Sequence, residues 1–235
     1  MGEYLEENMA GRRPPRKVEL AWFRRSLMRW FTLNGRELFW RSERACIYTM
    51  VVSEVLLQRT QASVVSGFLP TFLASFPDWQ AIAQSDNETI GQVLRPLGLW
   101  RRRASALLSL STEITRREGR WPGTRQELEE MPAVGQYVAS AVLMFEHGVP
   151  APLMDASMAR VLRRYFAIRP EKVDIRYDKQ LQEVAHAVVD DPEFVRLNWA
   201  ILDFAALQCT KSCPSCKTCD LRSRCAYFAE RREAG

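Results

Sequence analysis

Five of the six cysteines crowd into residues 209–225, and this stretch limits the possible folds more than any other. The order is Cys209, six residues, Cys216, two residues, Cys219, five residues, Cys225, with Cys213 interposed. In a reducing compartment such crowding argues for metal binding and against disulfides. Thiolates in so compact a loop can hold a cubane iron-sulfur cluster. A zinc knuckle would ordinarily show two separated C-x₂-C pairs. Cys213, Cys216 and Cys219 also make a C-x₂-C-x₂-C run, so the spacing alone leaves two ligand sets open, one with Cys209 and one with Cys213. Cys46, far away in sequence, reads as a small buried apolar residue.

The rest of the chain reads as helix. In 18–33 the apolar Leu20, Phe23, Leu27, Trp30 and Phe31 share one helical face, with Arg25 and Arg29 opposite and Trp22 on the polar side; Asn34-Gly35 closes the helix. The motif Leu38-Phe39-Trp40-Arg41 leads into a long apolar helix expected over 47–65, and a shorter one over 70–76 with Pro70 in its first turn. Asp86 or Ser85 can cap a helix that meets Pro96. Another helix spans 99–118 and ends at Gly119. Thr124 with Glu127 forms a capping box, and helices follow over 156–166, 177–189 and 193–207. No stretch alternates with a period of two, so the expected class is all-α.

At 235 residues, 47% hydrophobic and 26% charged, the chain suits one large or two intimate globular domains. Net charge is +5 with pI near 9.0, and the arginines cluster at Arg24-Arg25, 101–103, Arg116-Arg117 and Arg163-Arg164. Such clusters suit phosphate neutralisation, or are simply solvated helix faces. No apolar run reaches the roughly 18 residues of a membrane span, and the N-terminus is too charged for a signal peptide. Glu6 stands where myristoylation would need Ser or Thr. A cytoplasmic, nucleoid-associated protein without membrane contact is expected, with residues 1–16 as a loose basic arm.

Residues 131–155 carry the chemistry. Pro132-Ala133-Val134-Gly135 reads as a tight hairpin between two helices, and Asp155 as a carboxylate at the start of the next helix. A hairpin at a helix N-terminus offers unsatisfied amides and the positive end of the helix dipole to an anion such as a phosphate. Asp155 by itself could be no more than an N-cap.

Four motifs in order, Ser53-Glu54-Val55-Leu56-Leu57-Gln58-Arg59-Thr60, Met131-Pro132-Ala133-Val134-Gly135, Leu153-Met154-Asp155 and the Cys-x₆-Cys-x₂-Cys-x₅-Cys tail, resemble the helix-hairpin-helix base-excision DNA glycosylases. That family includes endonuclease III, the MutY-type adenine glycosylases and the G:T-mismatch thymine glycosylases. The resemblance runs from about Leu38 to Cys225 and implies a two-lobed helical fold. One lobe would comprise 17–46 and 156–235 with the cluster loop 209–225, and the other 47–155 with the hairpin. It also implies a [4Fe-4S] cluster on Cys209, Cys216, Cys219 and Cys225. The implied partner is double-stranded DNA holding a mispaired or damaged base, bound by a monomer, with the target nucleotide flipped out because its sugar-base bond is unreachable inside the stack.

Asp155 matches the family's essential aspartate, which would stabilise oxocarbenium-like charge and orient water. Glu54 matches a glutamate of the adenine and mismatch-thymine branches; Val52, Val55 and Leu56 would raise its pKa if it is buried, suiting it to protonate the leaving base. Gln58 matches the residue that fills the gap left by the flipped base, and Arg59 is placed toward the estranged base. Ala133, Gly135 and Gln136 fall in the hairpin's phosphate-binding position, where Ala133 replaces a glycine and strains the turn if that position has positive φ.

Tyr137 stands where bifunctional enzymes carry a Schiff-base lysine, so water is the expected nucleophile. Tyr137, Leu153-Met154-Asp155-Ala156, Leu202-Asp203-Phe204-Ala205-Ala206 and the short stretch after Cys225 favour the mismatch-thymine branch. Ser53-Glu54 with Gln58 and Gln61 leans toward the adenine branch. The reading is therefore a monofunctional glycosylase removing thymine or uracil opposite guanine. A MutY-type adenine glycosylase, acting on A opposite G or 8-oxoguanine, and an endonuclease III-like glycosylase/lyase are the alternatives.

Overall fold

The computed structural model describes residues 14–42 and 45–233. Among the described residues twelve α-helices run in chain order: α1 (Lys17–Asn34), α2 (Ile47–Leu57), α3 (Ala62–Ser75), α4 (Trp79–Ala83), α5 (Asn87–Leu94), α6 (Trp100–Arg116), α7 (Arg125–Glu129), α8 (Gln136–Phe145), α9 (Ala156–Phe166), α10 (Lys179–Val189), α11 (Phe194–Leu207) and α12 (Ala226–Glu233). No strand occurs among the described residues. The chain divides into two compact units, Glu37–Val149 and the combination of Met1–Arg36 with Pro150–Gly235.

In the unit Glu37–Val149, α6 packs along α4 and α5, and α2 packs on α8. Val52, Val55 and Leu56 of α2 share its core with Leu69 and Phe72 of α3, Ile90 and Leu94 of α5 and Leu107 of α6. Each fully buried aliphatic or aromatic side chain contributes about 1.5–3 kcal/mol, enough to hold short helices that would not persist alone. Asp86 caps α5 through the amides of Glu88 and Thr89, at 2.8 and 2.9 Å. Thr124 Oγ1 caps α7 by accepting from the Glu127 amide at 3.3 Å.

The single helix expected over 47–65 is two. α2 ends at Leu57, residues 58–61 turn, and α3 begins at Ala62 and runs straight through Pro70, which lies inside it. Pro70 cannot donate to the carbonyl of Ser66, one turn back, so α3 loses one backbone bond there. Cys46 is exposed at the N-cap of α2, not buried, with its sulfur 3.6 Å from Thr49 Oγ1. The extended backbone needed at an N-cap turns the side chain outward before the buried face of α2 begins.

In the other unit, α1 packs on α11, and α9 packs on α10, α11 and α12. Gly35 ends α1 with its N–H on the Phe31 carbonyl. Beyond it, Arg36 makes an ion pair with Asp203, which is wholly buried in α11: the Arg36 amide and guanidinium donate to the two carboxylate oxygens at 2.7–2.9 Å. Trp22, expected on the polar face, stacks on Tyr165 at 6.3 Å with Arg224 over its ring at 4.8 Å. Of the expected arm 1–16, residues 1–13 lie outside the described residues.

The clustered arginines are partly internal fasteners. Arg24 donates to the carbonyls of Ala187, Val188 and Asp190 at the end of α10, where the helix leaves acceptors without partners. Arg116 and Arg117 both pair with Glu113.

Candidate active site

Asp155 is the N-cap of α9. Its Oδ1 accepts from the amides of Ser157 and Met158 at 2.8 and 2.7 Å. Burial raises its pKa above the ordinary aspartate value, against the lowering effect of those amides and of Arg160. The carboxylate is thus both a helix cap and a partly desolvated charge, and the cap fixes its orientation. The segment leading to it, from Ala151 to Met154, is buried and outside any helix, and Asn198 of α11 holds it: the Leu153 amide donates to Asn198 Oδ1 at 2.7 Å, and Asn198 Nδ2 donates to the Ala151 carbonyl at 3.1 Å. Asn198 escaped sequence reasoning; its signal was an amide on the inner face of α11, where Asp203 is the other buried polar residue.

α9 also carries the fasteners of the cysteine stretch. One turn past Asp155, Arg160 donates to the carbonyls of Ala205 and Cys209, at 2.9 and 3.1 Å. A further turn on, Arg164 donates to the carbonyls of Thr210 and Lys211 and, at 3.4 Å, to the Cys209 sulfur. Cys209, Cys216, Cys219 and Cys225 line one largely apolar cavity, whereas Cys213 is exposed and outside it. Burial raises the thiol pKa values of Cys216, Cys219 and Cys225, Cys219 to about 11, and the neighbouring cysteines add to the rise. Among the described residues no three His, Cys, Asp or Glu side chains converge tightly enough for a single metal ion.

In the other unit, Glu54 and Tyr137 stand on α2 and α8, which pack together. Both are partly buried, and the neighbours of Glu54 at Ser53 and Val55 are buried. The hairpin precedes α8. Ala133 has φ +61°, so the position does require left-handed backbone and alanine occupies it under strain. Met131 and Val134 anchor the hairpin in the core, with the Val134 amide on the Met131 carbonyl at 3.2 Å. Gly135 has φ −100°, and a Cβ there would meet nothing within 4 Å, so neither backbone conformation nor packing within the protein demands glycine. A missing side chain over the first turn of α8, which no side chain caps, leaves room for a ligand to approach the backbone.

Gln58 and Arg59 lie exposed on the turn 58–61, and Arg59 has φ +60°. Beneath them is Arg103, only 2% exposed, which sequence reasoning had placed in a surface cluster. Its only legible signal was its position on the inner, apolar face of α6.

The chain has five lysines, Lys17, Lys172, Lys179, Lys211 and Lys217; none belongs to the unit Glu37–Val149, and all are exposed. No desolvated amine stands beside Tyr137 in that unit to form a Schiff base.

Residues 52–187 match the HhH-GPD superfamily of base excision DNA repair proteins. The chain belongs to that superfamily. It is 34% identical over 223 residues to a thymine/uracil-DNA glycosylase of Pyrobaculum aerophilum, covering 93% of this chain and 96% of that one. The human adenine DNA glycosylase is 30% identical over 88% of this chain, which covers 40% of that protein. Among solved structures, a thermostable thymine-DNA glycosylase aligns with a TM-score of 0.82 at 27% identity, over 90% of this chain and 97% of the other. The superfamily match spans parts of both units, and Glu54, Tyr137 and Asp155 all fall within it.

Proposed function

We propose that this superfamily member is a monofunctional DNA glycosylase that hydrolyses the N-glycosidic bond of thymine or uracil mispaired with guanine in double-stranded DNA. The observation that carries the reading is Asp155, a capped, partly buried carboxylate with its charged form destabilised. Such a group gains most when positive charge develops beside it, as on a sugar losing its base. The C1′–N bond breaks with its electron pair leaving on the base, Glu54 supplies the base's proton, and water adds to C1′ as Asp155 takes the water's proton. Water is the nucleophile because Tyr137 has no amine and all five lysines are exposed outside the unit of Glu54 and Tyr137. The choice of thymine or uracil is supported by the likeness to the Pyrobaculum enzyme along nearly the whole of both chains. The hairpin amides around Gly135 and Gln136 would take a backbone phosphate, Gln58 the vacated space and Arg59 the estranged base.

In the same reading Cys209, Cys216, Cys219 and Cys225 hold a [4Fe-4S] cluster. The fit rests on the shared apolar cavity, on Arg164 donating to the Cys209 sulfur, and on the exposure of Cys213. A bound cluster would take these cysteines as thiolates, against the burial that keeps the free thiols protonated, and would tie the loop together. Visible absorption of the purified protein that is lost in Cys225→Ser distinguishes it from colourless zinc.

Duplexes carrying G:T, G:U, A:G and A:8-oxoguanine test the base. Release from G:T and G:U is expected; release of adenine alone would overturn the assignment, and strand breaks trapped by borohydride would overturn the monofunctional mechanism. Asp155→Asn keeps the cap but loses the charge, so base release should disappear while the protein is as stable as before or more so at neutral pH. The sign follows from linkage: a folded pKa above the unfolded one gives stability that is full below the unfolded pKa and lost as pH rises through the folded pKa. The catalytic form is the ionised one, so the rate should fall on acidification with an apparent pKa above the ordinary aspartate value.

A further inference from the structure

Arg103 is a buried cation without an acidic partner. Among the described residues no carboxylate pairs with it, and its guanidinium instead faces four backbone carbonyls and one hydroxyl from two separate turns. Nη1 lies 2.8 and 2.6 Å from the carbonyls of Leu97 and Gly98. Nη2 lies 2.9, 2.8 and 2.6 Å from Leu56 O, Gln58 O and Thr60 Oγ1, and Nε has no partner. A buried charge of this kind costs several kcal/mol to desolvate, and the five oxygens around it offset that cost. What it does supply is rigidity at two places where the backbone is strained. The first turn contains Arg59 at φ +60°; the second runs into Leu99 at φ +50°, whose side chain is 47% exposed. Two left-handed non-glycine residues persist only where their surroundings over-determine them. The planar fork of Arg103, 45 residues from Gln58, joins both turns and closes the end of α2, whose last carbonyls have no helical partners.

We propose that Arg103 is a positioning residue for duplex recognition: it fixes the turn 58–60 so that Gln58 and Arg59 meet the DNA in one geometry, with no contact of its own to substrate. The proposal rests on the glycosylase reading given above. Loosening the turn leaves Gln58 chemically intact but free to miss its place, and a misplacement of about 1 Å costs on the order of 100-fold in rate.

The test is a double-mutant cycle in the full-length protein with Arg103→Lys, Gln58→Ala and the pair, read as single-turnover base release from a G:U duplex. Lysine keeps the charge and three donors but cannot span both turns. Arg103→Lys should lower the rate constant about 100-fold with duplex affinity largely retained, and the double variant should be no slower than the slower single. Effects that multiply would overturn the inference. So would a loss confined to the amplitude of release, since a purely structural role reduces the active fraction and leaves the rate constant alone. Hydrogen exchange provides a readout independent of activity. The Thr60 amide, bonded to the Leu57 carbonyl at 3.1 Å, should exchange faster in Arg103→Lys while the amides of α8 keep their rates. Unchanged exchange at Thr60 sinks the clasp whether or not any base is released. Faster exchange in a protein whose wild type releases no base counts against the glycosylase reading alone.

Discussion

Two tight turns in the unit Glu37–Val149 solve the same conformational problem in different ways. The hairpin before α8 holds Ala133 at φ +61°, and the turn after α2 holds Arg59 at φ +60°. The hairpin is held from within, by buried Met131 and Val134 and by Arg125, which reaches from α7 to Ser140 Oγ of α8 at 2.9 Å. The turn 58–60 has no buried side chain except what Arg103 brings from α6. Local strain of equal size can therefore rest on nearby apolar packing or on one distant cation. The first should tolerate substitution piecemeal, whereas the second should fail at a single residue.

Arg103→Met should give the largest effect. It leaves carbonyls of both turns unsatisfied and should cost about 3 kcal/mol or more, read as a lowered urea midpoint. Ala133→Val should come next, at about 1–3 kcal/mol, because a β-branched residue resists positive φ. Arg125→Ala, which removes only one of the hairpin's supports, should cost about 1 kcal/mol in the same assay. A loss there equal to that of Arg103→Met would break the comparison. The smallest effects should be gains: Ala133→Gly and Arg59→Gly each relieve left-handed strain and should stabilise by about 0.5–1 kcal/mol net of the added freedom of the unfolded chain. Of the two, only Arg59→Gly should also weaken discrimination at the base opposite the target.

Legibility in the sequence followed the range of the interactions involved. Asp155, Asp86 and Thr124 were readable as caps because a cap is settled within three residues. Asp155 turned out to be cap and desolvated carboxylate together, and only the second property depends on distant elements. The strain at Ala133 was readable as a condition on φ, which the structure then met. Cys46 was misread because burial was inferred from residue type, while the N-cap conformation turned it outward. The arginine clusters were misread in part because a charge run shows nothing of which guanidinium points inward. Arg101 lies over the Trp100 ring at 4.1 Å, while Arg103, two residues on, is enclosed.

The sequence by itself determined the helical class, the positions of most helix ends and the crowding of cysteines, since helical periodicity, capping and spacing are local properties of the chain. Only the tertiary structure decided where the apolar run 47–65 breaks. Gln58-Arg59-Thr60-Gln61 contains neither glycine nor proline and would continue a helix on propensity alone. At the turn a guanidinium 45 residues away gives the carbonyls of Leu56 and Gln58 the hydrogen bonds that another helical turn would have supplied.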